Sequence, residues 1–138
     1  AAMFVHETLV RVRYGETDRM GFVYYGDYAE YFEVGRVEAL RALGFSYRSM
    51  EDKGVMLPVR EMYVRYHAPA RYDDLLTVRT TIPSMPGARI TFRNEVLAGT
   101  GDLLTEATIT LVFVGRDTGR PCRPPEEFVR LFAPYFVT

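Results

Sequence analysis

One long proline-free segment, followed by segments of strand character, constrains the fold of this chain more than any other feature. From Tyr28 to Leu43 the chain contains no proline, and Ala, Leu, Glu and Arg predominate. Apolar or small side chains recur at spacings of three and four residues, at Tyr28, Tyr31, Phe32, Gly35, Ala39 and Ala42/Leu43, and Val34 and Val37 widen the apolar surface. This period predicts an α-helix, and the breadth of the apolar surface predicts that the helix is largely buried.

The two ends of this helix carry recognisable signals. Asp27 stands in the N-cap position, and Glu30 follows three residues later, as in a capping box. Gly44 occupies the position of a left-handed C-cap, and Phe45 can close it with an apolar contact. We expect one further short helical turn within residues 46–53.

The rest of the chain has the alternation and the turn residues of strands. We predict strands over residues 7–14, 55–67, 75–82, 88–98 and 103–114. The connections at 83–87 and 99–102 are short and turn-forming, so the last three strands should form an antiparallel meander. A loop over residues 15–25 precedes the long helix, and a turn at 117–119 leads to a final short helix at 126–133. One long helix against an antiparallel sheet predicts a single α+β domain over residues 1–138.

Composition excludes several classes of function. Seventeen basic and eighteen acidic residues give a net charge of −1, which lacks the general attraction that a nucleic-acid binder needs. No apolar run is long enough for a membrane span, and no basic stretch followed by an apolar one marks a secretory signal. The single Cys122 favours a reducing, cytoplasmic setting. Sixteen Arg against one Lys, with one Asn and no Gln, suits a heat-adapted protein, and biased codon usage produces the same pattern.

The residue inventory removes most kinds of catalytic site. None of the three serines lies in a Gly-x-Ser-x-Gly motif, and only His6 and His67 could activate Cys122 as a nucleophile. We expect Cys122 to be an incidental thiol and His67, just before Pro69, to be a hydrogen-bonded residue at a strand end. The chain has no recognisable zinc spacing and neither of the two common phosphate-binding glycine motifs, so we expect no metal and no cofactor.

The loop before the long helix combines a carboxylate with a helix N-terminus. Asp18 lies between Gly15 and Gly21, and the helix follows directly. Backbone N–H groups at a helix N-terminus can stabilise an oxyanion, and a carboxylate opposite them can attack a carbonyl carbon or take a proton from water. Those groups suffice for acyl transfer or hydrolysis. On composition alone the simpler interpretation is that Asp18 caps a turn and that the glycines serve a tight loop.

The residues of this loop also form a family motif. The pattern Tyr14-Gly-x-Thr-Asp18-x-x-Gly21-x-Val23-Tyr-Tyr25-x-x-Tyr28, followed by Glu33-x-Gly-Arg36, resembles the 4-hydroxybenzoyl-CoA thioesterase family. Within that family the pattern is most similar to the acyl-CoA thioesterase branch associated with the Tol–Pal cluster. A second stretch, Ala68-Pro-Ala-Arg-Tyr72-Asp-Asp-Leu-Leu-x-Val78, agrees with a strand–turn–strand signature of the family, and the resemblance extends over residues 8–132.

The resemblance implies a fold, an activity and catalytic residues. It implies the hotdog fold, in which an antiparallel sheet wraps one long central helix, and dimers, often paired into tetramers, with active sites at the dimer interface. Asp18 would be the general base or nucleophile toward a thioester, and the backbone N–H of Tyr25 would be the oxyanion donor. Gly21 would allow close approach to the substrate. Many members of the Tol–Pal-associated branch carry His where this chain has Tyr25, so the chain would have to work without that imidazole.

Substrate-binding residues follow from the same resemblance. The acyl pocket should be lined by Phe22, Tyr24, Tyr28, Val55, Leu57 and Val59, although core packing explains each of these residues equally well. Arginine suits the phosphates of CoA through its forked donors, and Arg89 stands near the position where relatives place basic residues. Arg65 and Arg71 are alternatives.

Three functions stay open from the sequence. The first is a cytoplasmic acyl-CoA thioesterase that forms at least a homodimer, with a homotetramer expected. The second is a hydratase or dehydratase on acyl thioesters, which generally uses a His with an acidic partner. The third is a non-catalytic module that binds acyl-CoA or acyl-carrier protein. The sequence does not choose among aromatic, short aliphatic and long aliphatic acyl groups.

Overall fold

The computed structural model describes residues 3–136, so two residues at each end of the predicted 1–138 domain lie outside it. Seven strands and three α-helices account for most of the chain. The strands are β1 Phe4–Arg11, β2 Val55–Met56, β3 Val59–Tyr66, β4 Leu75–Ile82, β5 Arg89–Leu97, β6 Leu103–Val112 and β7 Val114–Gly115. The helices are α1 Tyr28–Ala42, α2 Tyr47–Asp52 and α3 Glu126–Phe132, and 3-10 turns occur at Tyr14–Glu16, Tyr25–Asp27 and Ala133–Tyr135.

A five-stranded antiparallel sheet forms one layer of the molecule. Its strand order is β1-β4-β5-β6-β3, and each neighbouring pair is antiparallel. The predicted meander is therefore confirmed as β4, β5 and β6. The crossing of β3 to the far edge, with α1 between β1 and β3 in the chain, was not predicted, because alternation within a strand does not specify its neighbours.

The helix α1 packs on this sheet along one face. Its buried residues are Tyr28, Tyr31, Phe32, Gly35, Arg36, Ala39 and Leu40. The expectation of a largely buried helix holds only for that face, since Val34 is 42% exposed on the other. The broad apolar surface of α1 thus leaves an uncovered strip within one protomer.

Helix and sheet approach most closely at Gly35. A Cβ atom built there would lie 2.6 Å from Oγ1 of Thr80 and 2.8 Å from Cγ1 of Val78. Beneath it, Nδ2 of Asn94 donates a buried hydrogen bond of 2.9 Å to Oγ1 of Thr80. Only glycine fits at this point, so position 35 sets the spacing between α1 and the sheet.

The predicted start and end of the long helix are confirmed, and the predicted capping role of the Asp27 side chain is wrong. Gly44 has φ +89°, its N–H donates to the carbonyl of Arg41, and the N–H of Phe45 donates to that of Leu40. This is the Schellman arrangement. Asp27 has helical φ and ψ and caps nothing with its side chain. The chain enters α1 through the 3-10 turn Tyr25–Asp27, so the extended residue before the helical path is Tyr24.

Two strand predictions needed correction. The first strand spans Phe4–Arg11 instead of 7–14, because its pairing with β4 ends at Arg11 and a 3-10 turn begins at Tyr14. The predicted strand over 55–67 is two strands, β2 and β3. Pro58 between them has no N–H for a ladder, and β2 pairs with β7 outside the main sheet.

We predict that Gly35→Ala destabilises the protein although alanine favours helices. The clash with Thr80 and Val78 should exceed the gain of ~1 kcal/mol in helix propensity and lower the free energy of unfolding by about 1–2 kcal/mol. Urea unfolding measures the change. Gly15→Ala is the matched control, because a Cβ at Gly15 meets nothing within 4 Å. A Gly35→Ala protein as stable as the wild type would contradict the close-approach argument.

Candidate active site

The loop between β1 and α1 is a small structured unit. An isolated bridge pairs Thr17 with Val23, and the N–H of Asp18 donates to the carbonyl of Phe22 at 2.8 Å. Gly21 turns the chain with φ +82°, and its N–H donates to the carbonyl of Asp18 at 3.0 Å. This φ favours glycine, so Gly21 is required by the turn that presents Asp18.

The Asp18 carboxylate is held by the backbone of its own loop. Its Oδ1 accepts hydrogen bonds from the N–H groups of Met20 at 2.9 Å and Phe22 at 3.2 Å. Its Oδ2 accepts none from the residues that the structure describes. The carboxylate is therefore fixed through one oxygen and has the other available for a substrate or a water molecule.

Asp18 borders a cavity of about 350 Å³. The walls are mainly apolar and aromatic, and they come from the loop, the start of α1 and the end of β3: Met20, Phe22, Val23, Tyr25, Tyr28, Tyr66, His67, Ala68 and Pro69. The Tyr66 ring lies 5.6 Å from the Tyr28 ring and 6.4 Å from the Tyr25 ring. A carboxylate thus faces a space that can take an apolar group.

The start of the helical path lies at the same cavity. Tyr25 is the first residue of the 3-10 turn, so its N–H has no acceptor within the turn. No backbone carbonyl among residues 3–136 accepts from it. The hydroxyl of Tyr66 donates to the carbonyl of Tyr25 at 3.1 Å, which ties the turn to β3. Asp18 and Tyr25, whose N–H has no backbone acceptor among residues 3–136, consequently line one cavity.

A buried carboxylate fastens the loop to the helix. Glu16 is 7% exposed. Its Oε1 accepts from the backbone N–H of Arg13 at 2.8 Å and from the Tyr31 hydroxyl at 2.8 Å, and its Oε2 accepts from Nε of Arg13 at 3.0 Å. Burial raises the pKa of Glu16, but the hydrogen bonds from Arg13 and Tyr31 outweigh it and hold that pKa below the ordinary 4.5. Burial, and then the bond to Glu16, raises the pKa of Tyr31, which keeps its hydroxyl a donor.

The structure brings some predicted site residues together and leaves others apart. Asp18, Phe22, Tyr25 and Tyr28 line the cavity, Gly21 forms the turn beside it, and the Tyr24 ring lies 4.5 Å from the Tyr25 ring. Val59 and Arg89 lie at the opposite end of the sheet, where β6 pairs Leu111 with Val59 and Val112 with Arg89. Val55 and Leu57 immediately precede that end of β3. These four residues do not contribute to the Asp18 cavity of their own protomer.

Sequence reasoning missed the end of β3 and the residues after it. His67 was expected only as a hydrogen-bonded strand-end residue, and its Nε2 does lie 3.0 Å from Oε2 of Glu106. It also lines the Asp18 cavity, together with Ala68 and Pro69. The available signal was the second family stretch, which begins at Ala68: two separated motifs of one family are expected to meet at one site.

The described residues contain neither a cluster of metal ligands nor a membrane-spanning helix. Within residues 3–136 no three His, Cys, Asp or Glu side chains are grouped so that they could hold a metal ion. No helix in that range combines the length and the apolarity that crossing a bilayer requires.

Comparison with known proteins defines the class of this chain. Residues 12–132 match the thioesterase-like superfamily. The chain belongs to that family, and its α+β architecture is the hotdog fold. The resemblance stated from the two motifs is thereby confirmed at the level of the superfamily.

Individual relatives agree over nearly the whole chain. The acyl-CoA thioester hydrolase YbgC of Escherichia coli is 37% identical over 123 residues, which cover 89% of this chain and 92% of the relative. The acyl-CoA thioesterase YbgC of Haemophilus influenzae is 33% identical over 124 residues, or 89% and 90% of the two chains. The structure of DHNA-CoA thioesterase from Staphylococcus aureus superposes with a TM-score of 0.90 at 31% identity, covering 94% of this chain and 89% of that one.

We predict that Glu16→Gln lowers stability at neutral pH by about 2 kcal/mol, because hydrogen bonds to the charged carboxylate are lost. The folded pKa of Glu16 is lowered, so the carboxylate stabilises the protein above pH ~4.5 and this contribution disappears as pH falls through the folded value. The difference between wild type and variant should therefore shrink on acidification. Urea unfolding between about pH 7 and pH 3 measures it.

The exposed Glu7, paired with Arg79 at 2.8 Å, provides the control. Glu7→Gln should change stability by less than ~1 kcal/mol. A Glu16→Gln protein whose deficit stays constant as the pH falls would contradict the assigned role of the charge.

Proposed function

We propose that this protein hydrolyses acyl-CoA thioesters to a carboxylic acid and free CoA. The observation that carries the proposal is the geometry around Asp18, a carboxylate fixed through one oxygen at a largely apolar cavity that Tyr25, at the start of the helical path, also lines. Relatives named as acyl-CoA thioester hydrolases, identical at one third of positions or more over most of both chains, support the same activity.

The site residues suit thioester hydrolysis in two alternative ways. In one, Oδ2 of Asp18 takes a proton from water while the water oxygen bonds to the carbonyl carbon. In the other, Oδ2 itself attacks, and water then hydrolyses the resulting anhydride. In both, the N–H of Tyr25 donates to the developing oxyanion. Collapse of the tetrahedral intermediate breaks the C–S bond, and the CoA thiolate leaves and takes up a proton.

One observation favours a second candidate function. His67 contacts the carboxylate of Glu106 and lines the Asp18 cavity. A His with an acidic partner is the arrangement that a hydratase or dehydratase on acyl thioesters generally uses. We rank hydrolysis first, since Asp18 carries the better-fixed carboxylate and the named relatives are thioester hydrolases. A binding module without catalysis is the third possibility.

We predict that Asp18→Asn reduces thiol release by roughly 10²–10⁴-fold, because the amide neither accepts the proton nor attacks the thioester. A thiol assay over aromatic, short-chain and long-chain acyl-CoA substrates measures the activity and the acyl preference together. Circular dichroism and thermal melting verify that the variant is folded.

The control is Asp27→Asn, because Asp27 is close in sequence and its side chain makes no cap hydrogen bond. It should keep nearly full activity. Normal turnover in Asp18→Asn would refute the role of Asp18. Hydration of an enoyl-CoA by the wild type without thiol release would favour the His67 alternative, and tight binding of acyl-CoA without either reaction would favour a binding module.

The edge strand β3 supports a homodimer as the working unit. It pairs on one side with β6 and has no strand on its other side among the described residues. Both of its faces are largely open to solvent, with Tyr63 69% exposed and Met62 43% exposed. An edge strand that exposes apolar and aromatic side chains in an isolated protomer favours pairing with another strand. We therefore propose that β3 pairs antiparallel with β3 of a second copy.

Symmetry and charge favour a register of that pairing centred on Tyr63. In an antiparallel pair, directly opposed side chains point to the same face of the sheet, so their residue numbers differ by an even number. A two-fold axis perpendicular to the sheet relates the two strands, and the residue on that axis therefore opposes its own copy. If that residue is Tyr63, Glu61 of each copy opposes Arg65 of the other. Centring the axis on Glu61 or Arg65 would oppose like charges, which destabilises a sheet.

Antiparallel pairing would also give a role to the predicted site residues that lie far from Asp18 in their own protomer. Val59 and Tyr66 are roughly 23 Å apart along β3, at ~3.3 Å per residue. In the dimer the Val59 end of one copy lies beside the Tyr66 end of the other. We propose that Val55, Leu57 and Val59 complete the acyl pocket of the partner, and that Arg89 serves CoA bound there. Arg89 adjoins a groove whose lining includes Arg123 and Arg130 together with Glu126.

The family branch, the tetramer and the cellular location are each proposed on one observation. The Tyr14–Tyr28 motif supports the Tol–Pal-associated branch, although Tyr25 departs from the His of many members. The uncovered strip of α1 around Val34 and Val37 supports pairing of dimers into a tetramer. The lone Cys122 supports a cytoplasmic location. An acyl-carrier protein in place of CoA is the alternative source of the acyl group.

We predict that Glu61→Arg and Arg65→Glu each weaken the dimer by about tenfold, since each creates two like-charge pairs across β3. Analytical ultracentrifugation measures the dissociation constant. An equimolar mixture of the two variants should recover wild-type affinity as a heterodimer, because every Arg then opposes a Glu. Single variants that dimerise like the wild type, or a mixture that stays as weak as its components, would overturn the register.

A further inference from the structure

A second cavity, of about 420 Å³, lies beside the C-terminal half of α1. Its volume falls within the ~300–1,000 Å³ of small-molecule sites. Apolar side chains form much of its wall, namely Val37, Phe45, Leu57 and Leu111, and polar ones come from α1 and α2. It shares no lining residue with the Asp18 cavity. One of its lining residues, Leu57, is also placed beside the acyl pocket of the partner in the dimer proposed above.

The unusual member of this wall is Arg36. Its side chain is 7% exposed, and Nε is buried without a hydrogen-bond partner within residues 3–136. No carboxylate of the described residues lies within 4.0 Å of its guanidinium. The guanidinium carbon lies 5.9 Å from the centre of the Phe92 ring. This cation–π contact offsets only part of the free energy lost when the guanidinium is removed from water. Burying a cation without an anion costs desolvation free energy, so this position favours the binding of an anion.

Among the described residues that line the cavity, Arg36 is the buried cation without a carboxylate partner. Arg41 is paired with Glu38, and Arg48 is exposed, as are Glu33 and Glu51 at the rim. Tyr47 adds a second polar group beside Arg36. Burial raises the pKa of the Tyr47 phenol, and the neighbouring guanidinium lowers it only in part, so the hydroxyl keeps its proton at neutral pH.

We propose that this cavity binds a small organic carboxylate, with the carboxylate on Arg36 and Tyr47 and the apolar body against Phe45, Leu57 and Leu111. A planar carboxylate matches the fork of one guanidinium. A phosphate dianion would bring two charges to one free buried cation and would approach the two rim carboxylates. The site is separate from the Asp18 cavity of its own protomer and adjoins, through Leu57, the acyl pocket proposed for the partner.

The test is an NMR titration of the full chain with benzoate, and with benzyl alcohol as its uncharged analogue. Benzoate should shift the backbone amide resonances of Phe45–Arg48 and leave those of Asp18–Phe22 unchanged. Benzyl alcohol should bind at least about tenfold more weakly, because it lacks the charge that pairs with the guanidinium.

Arg36→Met keeps the length of the side chain and removes the charge, and it should weaken benzoate binding by at least about tenfold. Arg48→Met removes an exposed charge of the same cavity and should change the affinity by less than about twofold. If Arg36→Met does not fold, Tyr47→Phe and the comparison with benzyl alcohol in the wild type decide the matter. Equal binding of the two probes, shifts centred on Asp18, or no benzoate binding up to about 20 mM would overturn the proposal.

Discussion

The buried carboxylate of Glu16 is the interaction on which the geometry of the active site depends. It accepts hydrogen bonds from Arg13 at the end of the β1 segment and from Tyr31 on α1. Asp18 follows two residues later, so its loop is anchored to both the sheet and the helix. Tyr24 is anchored by the same residue, since its N–H donates to the carbonyl of Glu16 at 2.8 Å. Glu16 therefore fixes the Asp18 loop through its side chain and the start of the helical path through its backbone carbonyl.

Local features of the fold were predictable, and features set by distant contacts were not. The end of α1 at Gly44 follows from hydrogen bonds within five residues, and the sequence signal there was sufficient. The start of α1 depends on Glu16, and on Tyr66 donating to the carbonyl of Tyr25 forty-one positions earlier. Asp27 does precede the first residue of α1, but tertiary contacts start the helical path three residues earlier, at Tyr25, so the Asp27 side chain caps nothing.

The candidate site divides in the same way. Asp18, Phe22, Tyr25 and Tyr28 belong to one continuous segment, which a motif can contain. His67 and Tyr66 reach the cavity only because β3 lies at the sheet edge beside the loop, and strand order is a property of the whole sheet. Arg36 was part of the quoted motif, yet its burial without an ionic partner is visible only when α1 is placed on Phe92.

In the dimer proposed above, the strand topology explains why two copies would form one site. One protomer carries Asp18 and the free N–H of Tyr25 at the Tyr66 end of β3, and its groove with Arg123 and Arg130 near the other end. No movement within a protomer brings the two ends of a strand together, because the sheet ladder is rigid. An antiparallel partner does so twice, by symmetry. In the proposed dimer, a chain of net charge −1 would offer a CoA polyanion arginine side chains beside Asp18 of the partner without becoming basic overall.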